Sequence, residues 1–132
     1  MAGCSGVLVV EDDEDFSALL LEILKLGGYA ARSAGNGVEA LAMLREPGYR
    51  PCLMLVDLVM PIMNGWEFLE SCDSDPFLRD IPRVVMSVAG DRMRESRASA
   101  YLPKPTDMNE IMKLLETFAR RQKAPLLPPM AT

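Results

Sequence analysis

The sequence predicts an α/β fold in which helices cover both faces of a parallel β-sheet. Short, continuous apolar runs, such as residues 7–10 and 52–56, are typical of strands buried on both faces. Segments with apolar residues at helical spacing follow them, so that strand and helix alternate five times along the chain. With 132 residues, of which 49% are hydrophobic, the chain is predicted to form one domain around one core.

The first half of the chain supplies two strands and two helices. The β-branched run at residues 7–10 ends in five consecutive acids, residues 11–15. Acids favour the first turn of a helix, which accounts for the last three of them, and this helix ends at a glycine pair at 27–28. Residues 29–33 predict a weaker edge strand. The capping-box spacing of residues 36–39 then predicts a second helix, which a Pro-Gly pair ends.

The second half begins with the apolar run at 52–56, which stops abruptly at Asp57 and a turn-rich loop. We predict a third helix from about residue 66 to 72. The remaining predicted elements are a buried strand over 84–86 that ends at Ser87, a brief strand over 101–103 that ends at Lys104, and a last helix with a capping-box spacing at 107–110. Three prolines within residues 123–132 predict a disordered tail, so the folded domain is expected to span residues 1–122.

The connection between the last two predicted strands is short. Thirteen residues, 88–100, must cross over, close to the minimum of about a dozen for parallel strands. A helix of eight residues would be only about 12 Å long, against roughly 16 Å for a strand of five. The fourth helix is therefore predicted to be short, irregular or missing.

Composition excludes several classes of function. The net charge of −5 and the lack of a basic stripe argue against direct nucleic-acid binding. The sequence has neither a membrane-spanning apolar run nor an export signal. Its three cysteines, odd in number and widely spaced, predict neither a disulfide framework nor a zinc site, and a reducing cytoplasm is expected. Because the chain has no His, any chemistry falls to carboxylates, hydroxyls and Lys.

Carboxylates are predicted to meet at one edge of the sheet. In a flavodoxin-like, doubly wound sheet of five parallel strands in the order 2-1-3-4-5, the first and third strands flank the crevice where ligands bind. This arrangement puts Glu11 and Asp12 beside Asp57, where a hard cation such as Mg²⁺ would offset their repulsion. Ser87 and Lys104, at the ends of the neighbouring strands, would add a hydroxyl and a positive charge. Such a crevice could support phosphoryl transfer onto Asp57, giving an acyl phosphate.

Four motifs, at residues 9–13, 56–65, 81–87 and 101–105, make the chain from about 6 to 121 resemble the receiver domain of bacterial two-component response regulators. The resemblance implies a phosphoacceptor, a Mg²⁺ site, two switch residues and a phosphate-binding Lys. By this resemblance the phosphoacceptor is Asp57. The Mg²⁺ site consists of Asp12, Asp57 and the backbone carbonyl of Val59, with Glu11 contacting the ion through water. The switch residues are Ser87 and Tyr101, and the phosphate-binding Lys is Lys104. It also implies a cis peptide before Pro105. The expected donor is a sensor histidine kinase or histidine phosphotransfer protein, the expected output is contact with a further protein, and the expected state is a monomer or weak dimer.

Simpler interpretations stay open at this level. Ser87 could be a turn residue, Tyr101 a half-buried strand aromatic, and Lys104 a solvated charge. The whole chain could be a pseudo-receiver that binds partners constitutively. A small-molecule phosphatase with an Asp nucleophile is disfavoured, because no second carboxylate follows two residues after Asp57; we therefore expect no turnover enzyme. Apolar residues at 59 and 89 predict a long-lived acyl phosphate, since they flank the path of attacking water in this fold.

Overall fold

The structure is a computed structural model that describes residues 5–58, 60–88, 100–104 and 108–123, with the backbone only at residues 87, 88, 100–104, 108, 114 and 118–123. Strands and helices alternate along it as β1 (Val7–Val10), α1 (Glu14–Leu26), β2 (Ala31–Ala34), α2 (Gly37–Leu44), β3 (Leu53–Asp57), α3 (Gly65–Asp73), β4 (Arg83–Val88), β5 (Ala100–Lys104) and α4 (Met108–Lys123).

The five strands form one parallel sheet in the order β2-β1-β3-β4-β5. This order confirms the predicted flavodoxin-like arrangement. The register pairs Val10 of β1 with Val56 of β3, so the residues that follow both strands leave the sheet at the same level. In turn, Asp57 pairs with Met86 of β4. The end of β3 therefore lies in the middle of the sheet's carboxyl edge.

The core consists of two apolar layers, one on each face of the sheet. Alternate residues of β1 and β3 point into different layers, because successive side chains of a strand face opposite sides. Leu8 and Met54 pack with α2 and α3 on one face, whereas Val9 and Leu55 pack with α1 and α4 on the other. All residues of both strands are buried, as the continuous apolar runs predicted.

The second strand begins two residues later than predicted. Tyr29 lies in the turn that follows α1, where its backbone N–H donates to the carbonyl of Leu24 at 2.9 Å and its ring is buried beside that helix. The chain reverses at Gly28, whose φ of +92° suits glycine. The predicted short or irregular helix within residues 88–100 falls on residues 89–99, outside the described residues, while residues 88 and 100 belong to β4 and β5. The tail was predicted to begin at residue 123, but α4 extends through Lys123, and residues 124–132 lie outside the described residues.

A buried arginine ties the connection before β4. The Arg83 side chain is only 3% exposed and donates to Asp73 at 2.6 Å and to three backbone carbonyls between 3.0 and 3.2 Å, those of Leu78, Arg79 and Ile81. A buried charge is tolerated only when it is paired and hydrogen-bonded in this way. Nothing in the sequence around residue 83 indicated this role.

The cysteines differ from the expectation of a chain without disulfides. Cys52 is disulfide-bonded, whereas Cys72 is a free thiol in the core. Spacing along the chain did not reveal this bond. Cys52 lies just before β3, and its N–H donates to the Gly6 carbonyl at 2.6 Å. Burial raises the pKa of the Cys72 thiol to about 12. No helix within the described ranges is long and apolar enough to cross a membrane.

Candidate functional site

Three carboxylates meet at the carboxyl edge of the sheet. One oxygen from each of Glu11, Asp12 and Asp57 lies within 4.8 Å of the other two. Glu11 and Asp57 are almost completely buried, at 3% and 5% exposure, while Asp12 is exposed to solvent. The pairing of β1 with β3 causes this convergence, because both strands end there in the same register. The structure thus confirms that Glu11 and Asp12 lie beside Asp57.

The other acids of the run at residues 11–15 belong to helix α1. Asp13 is the N-cap, and its carboxylate accepts from the backbone N–H groups of Asp15 at 3.0 Å and Phe16 at 3.1 Å. Glu14 and Asp15 occupy the first turn, where their negative charges interact favourably with the helix dipole. Glu11 in turn accepts from the Asp13 N–H at 3.1 Å, which fixes its carboxylate in the crevice.

The carboxylate cluster fits a small divalent cation. Two like charges 4.8 Å apart repel by about 3.5 kcal/mol at an effective dielectric constant of about 20, and here there are three such pairs. An all-oxygen ligand set with one or two direct carboxylates and an exposed side for water is the environment that Mg²⁺ prefers.

The loop after Asp57 is fixed at its far end by Gly65. The Gly65 N–H donates to the Leu58 carbonyl at 2.9 Å. A Cβ at residue 65 would lie 2.5 Å from the Asp57 carbonyl oxygen and 2.7 Å from the Leu58 Cα, which leaves no room for a side chain. Next to it, Asn64 and Glu67 form a reciprocal capping box, with both hydrogen bonds at 2.9 Å. These contacts hold the loop beside the carboxylates.

The backbone of β4 and β5 brings the remaining predicted site residues to the same edge. Asp57 pairs with Met86, which pairs with Leu102 on β5, so these three residues mark one level of the sheet. Ser87 lies one residue beyond that level and Lys104 two residues beyond it, while Tyr101 lies one residue before it. The register is compatible with the roles predicted for these residues. Their side chains, and residues 59, 89 and 105, lie outside the described part of the chain.

Two features of the site were missed at the level of sequence. One is the steric need for Gly65, which a Gly closing a turn-rich loop could have signalled. The other is Ile62, whose φ of +69° is rare for a β-branched residue. No signal in the sequence indicates it, because a Gly or Asn would be expected at such a position.

A parallel sheet in this order, with three carboxylates at its carboxyl edge, defines a flavodoxin-like α/β domain with an acidic site. A family model described as the response regulator receiver domain matches residues 7–116. The polar-differentiation response regulator DivK of Brucella anthropi is 31% identical over 118 residues, which are 86% of this chain and 94% of DivK. The chain belongs to the response regulator receiver domain family, which implies phosphorylation-based signalling.

Two further relatives differ in how much of their length is matched. The transcriptional regulatory protein CpxR homolog of Haemophilus influenzae is 33% identical over 92% of this chain but only 53% of its own length, so the chain spans about half of that protein. The signal receiver domain of a signal transduction histidine kinase from Syntrophus aciditrophicus is 26% identical, with a TM-score of 0.76 and 96% of both chains covered. Similar domains therefore occur as part of a longer transcriptional regulatory protein and as the receiver domain of a histidine kinase.

Proposed function

We propose that this chain is a phosphorylation-dependent switch in which Asp57 accepts a phosphoryl group from a phosphohistidine. The observation that carries the proposal is the convergence of Glu11, Asp12 and Asp57 within 4.8 Å at the end of the central strand. The donor would be a sensor histidine kinase or a histidine phosphotransfer protein. Output would pass through contact with another protein, from a monomer or weak dimer, without direct binding of nucleic acid or membrane.

In this mechanism a carboxylate oxygen of Asp57 attacks the phosphorus in line with the bond to the donor's imidazole nitrogen. The oxygen–phosphorus bond forms, the phosphorus–nitrogen bond breaks, and the imidazole leaves with its electron pair. Asp57 needs no general base, because a carboxylate is ionised at neutral pH. Mg²⁺, when bound, would neutralise charge on the phosphoryl oxygens.

The other site residues each have a role in the proposal. Asp12 and Asp57, with the backbone carbonyl of Val59, would hold the ion directly, and Glu11 would hold it through water. Lys104 would contact a phosphoryl oxygen as a fixed positive charge. Ser87 would donate its hydroxyl to another phosphoryl oxygen, and Tyr101 would carry the change toward the surface. The domain would undergo one transfer and a slow hydrolysis rather than act as a turnover enzyme.

Intact mass after incubation with acetyl phosphate and Mg²⁺ tests the proposal. We expect the wild type to gain one phosphate, and Asp57→Asn or the wild type with a chelator to gain none. Asp75→Asn, which changes a carboxylate away from the site, is the matched control and should still be phosphorylated. If the wild type gains no phosphate, and beryllofluoride does not bind with Mg²⁺, a constitutive binding module of the same fold becomes the better explanation.

We also propose that the chain works in the cytoplasm. Thiols are kept reduced there, so Cys52 should be a free thiol in cells even though it is disulfide-bonded in the structure. Alkylation of thiols at the moment of lysis, followed by mass measurement, decides this. A Cys52 that resists alkylation until a reductant is added would argue against the cytoplasm.

A further inference from the structure

The carboxyl edge of the sheet carries exposed apolar side chains beside the acidic site. Val38, in the first turn of α2, is 49% exposed, and Ile62, in the loop between β3 and α3, is 78% exposed. Met63 follows Ile62 and is half-buried, and its side chain packs so closely on Gly37 of α2 that a Cβ there would lie 2.7 Å from its sulfur. We call Val38, Ile62 and Met63 the rim patch.

The backbone holds Ile62 outward at a conformational cost. Its φ of +69° is disfavoured for a β-branched residue, and the surrounding turn is tightened by a hydrogen bond from the Met63 N–H to the Pro61 carbonyl at 2.7 Å. Strained residues of this kind persist only where the surroundings fix them, and they concentrate at functional sites.

The surroundings of Ile62 fix it on both sides. Before it, Met60 is buried in the core at 8% exposure. After it, Met63 packs against α2, Asn64 caps α3, and Gly65 is hydrogen-bonded to Leu58. The loop therefore presents an apolar side chain to solvent at a set position rather than letting it fold onto the core.

Any protein that delivers a phosphoryl group to Asp57 must rest on this edge. Asp57 is only 5% exposed, so the donor's phosphohistidine has to enter the crevice while the protein around it contacts the loops that follow β1, β2 and β3. The rim patch is formed by the first turn of α2, which follows β2, and by the loop that follows β3. A donor protein bound over Asp57 would bury these apolar side chains.

We propose that the rim patch is a docking surface for the phosphodonor protein and selects donors with an apolar surface next to their phosphohistidine. This inference rests on the proposed function. The side of the crevice formed by α2 and the loop after β3 determines the affinity and the choice of donor, and Ile62 makes the main contact. The carboxylates carry out the phosphoryl transfer.

The test compares a protein donor with a donor that has no protein surface. Phosphoramidate carries the same phosphorus–nitrogen bond as phosphohistidine. The protein probe is the autophosphorylated cytoplasmic region of whichever histidine kinase of the source genome phosphorylates the wild type fastest. The variants are Ile62→Asn, which tolerates the backbone conformation, Ile62→Met, which stays apolar, and Val38→Thr, which is nearly isosteric. Phe77→Asn is the matched control, because Phe77 is 79% exposed in the loop that enters β4 at the opposite edge.

We expect Ile62→Asn to lower the rate of transfer from the kinase at least tenfold and Val38→Thr to lower it two- to fivefold. Ile62→Met and Phe77→Asn should stay within twofold of the wild type, and phosphoramidate should label all variants within twofold. Equal kinase rates for Ile62→Asn and the wild type would overturn the docking surface, as would an equal loss with phosphoramidate. If phosphoramidate does not label the wild type, the proposed function itself is refuted, because Asp57 then does not accept a phosphoryl group.

Discussion

Replacing Gly65 by Ala tests whether the loop after Asp57 is as closely packed as the structure indicates. The new Cβ would lie 2.5 Å from the Asp57 carbonyl oxygen, against about 3.4 Å for an ordinary contact, so backbone must move by about 0.9 Å. Such overpacking costs about 1–3 kcal/mol, and because the nearest atoms are backbone we expect the upper end. Gly65 is the first residue of α3, so Ala gains up to about 1 kcal/mol in helix propensity. The net expectation is a loss of about 2 kcal/mol.

Urea unfolding followed by far-UV circular dichroism measures this loss, which should appear as a lower midpoint with an unchanged m-value. Since the displaced atom is the carbonyl of Asp57, the proposed phosphoacceptor, phosphorylation by acetyl phosphate should also slow. Gly35→Ala is the control at the same edge, because its Cβ would meet only the flexible end of Glu39 at 3.2 Å. A Gly65→Ala protein as stable as the wild type would show that the loop after Asp57 can adjust freely.

Three further predictions follow from single residues. Ile62→Asn should raise the free energy of unfolding by about 0.5–1 kcal/mol in the same urea titration. Asn tolerates a positive φ, and Ile62 buries little apolar surface that the substitution would remove. A loss of stability would show that Ile62 is not strained. Asp12→Asn should stabilise the metal-free protein by only about 1 kcal/mol at low salt, because Asp12 is exposed and water screens most of its repulsion from the buried carboxylates. The substitution should also abolish thermal stabilisation by Mg²⁺, and retention of that stabilisation would exclude Asp12 as a ligand. Because burial raises the pKa of Cys72 to about 12 from 9.0, the unfolded state loses its thiol proton first, and stability should fall from about pH 9 upward; a Cys72→Ala variant with the same decline would refute this origin.

The fold could be predicted because the sheet is built from simple periodicities. The runs at 7–10 and 52–56 are apolar at every position, which only a strand covered on both faces requires. Alternation with amphipathic segments then leaves few topologies for parallel strands. The place of Glu11 and Asp12 beside Asp57 followed from strand order alone, without knowledge of any side-chain conformation. The element bounds were less accurate where a residue lies in the turn that follows a helix, as Tyr29 does.

The features that could not be predicted depend on contacts between distant segments. Arg83 reads as a charge at the start of a strand, yet it is buried because the carbonyls of the preceding turn and Asp73 surround its guanidinium. Cys52 is disulfide-bonded, which its position in the sequence does not reveal. Ile62 violates the local preference of its own residue type, so any local rule would assign it a different backbone conformation.

Two unfavourable features of the described structure lie at one edge of the sheet. Carboxylate repulsion around Asp57 and the positive φ of Ile62 both occur where β3 ends. At the opposite edge, Arg83 satisfies three carbonyls and Arg50 donates to the carbonyl of Phe77, so the connection into β4 is tied down. A stable sheet can keep the repelling carboxylates close together, and a cation that relieves their repulsion should then stabilise the whole domain. Mg²⁺ binding should therefore raise the melting temperature of the wild type more than that of Asp57→Asn, in which part of the repulsion is already gone.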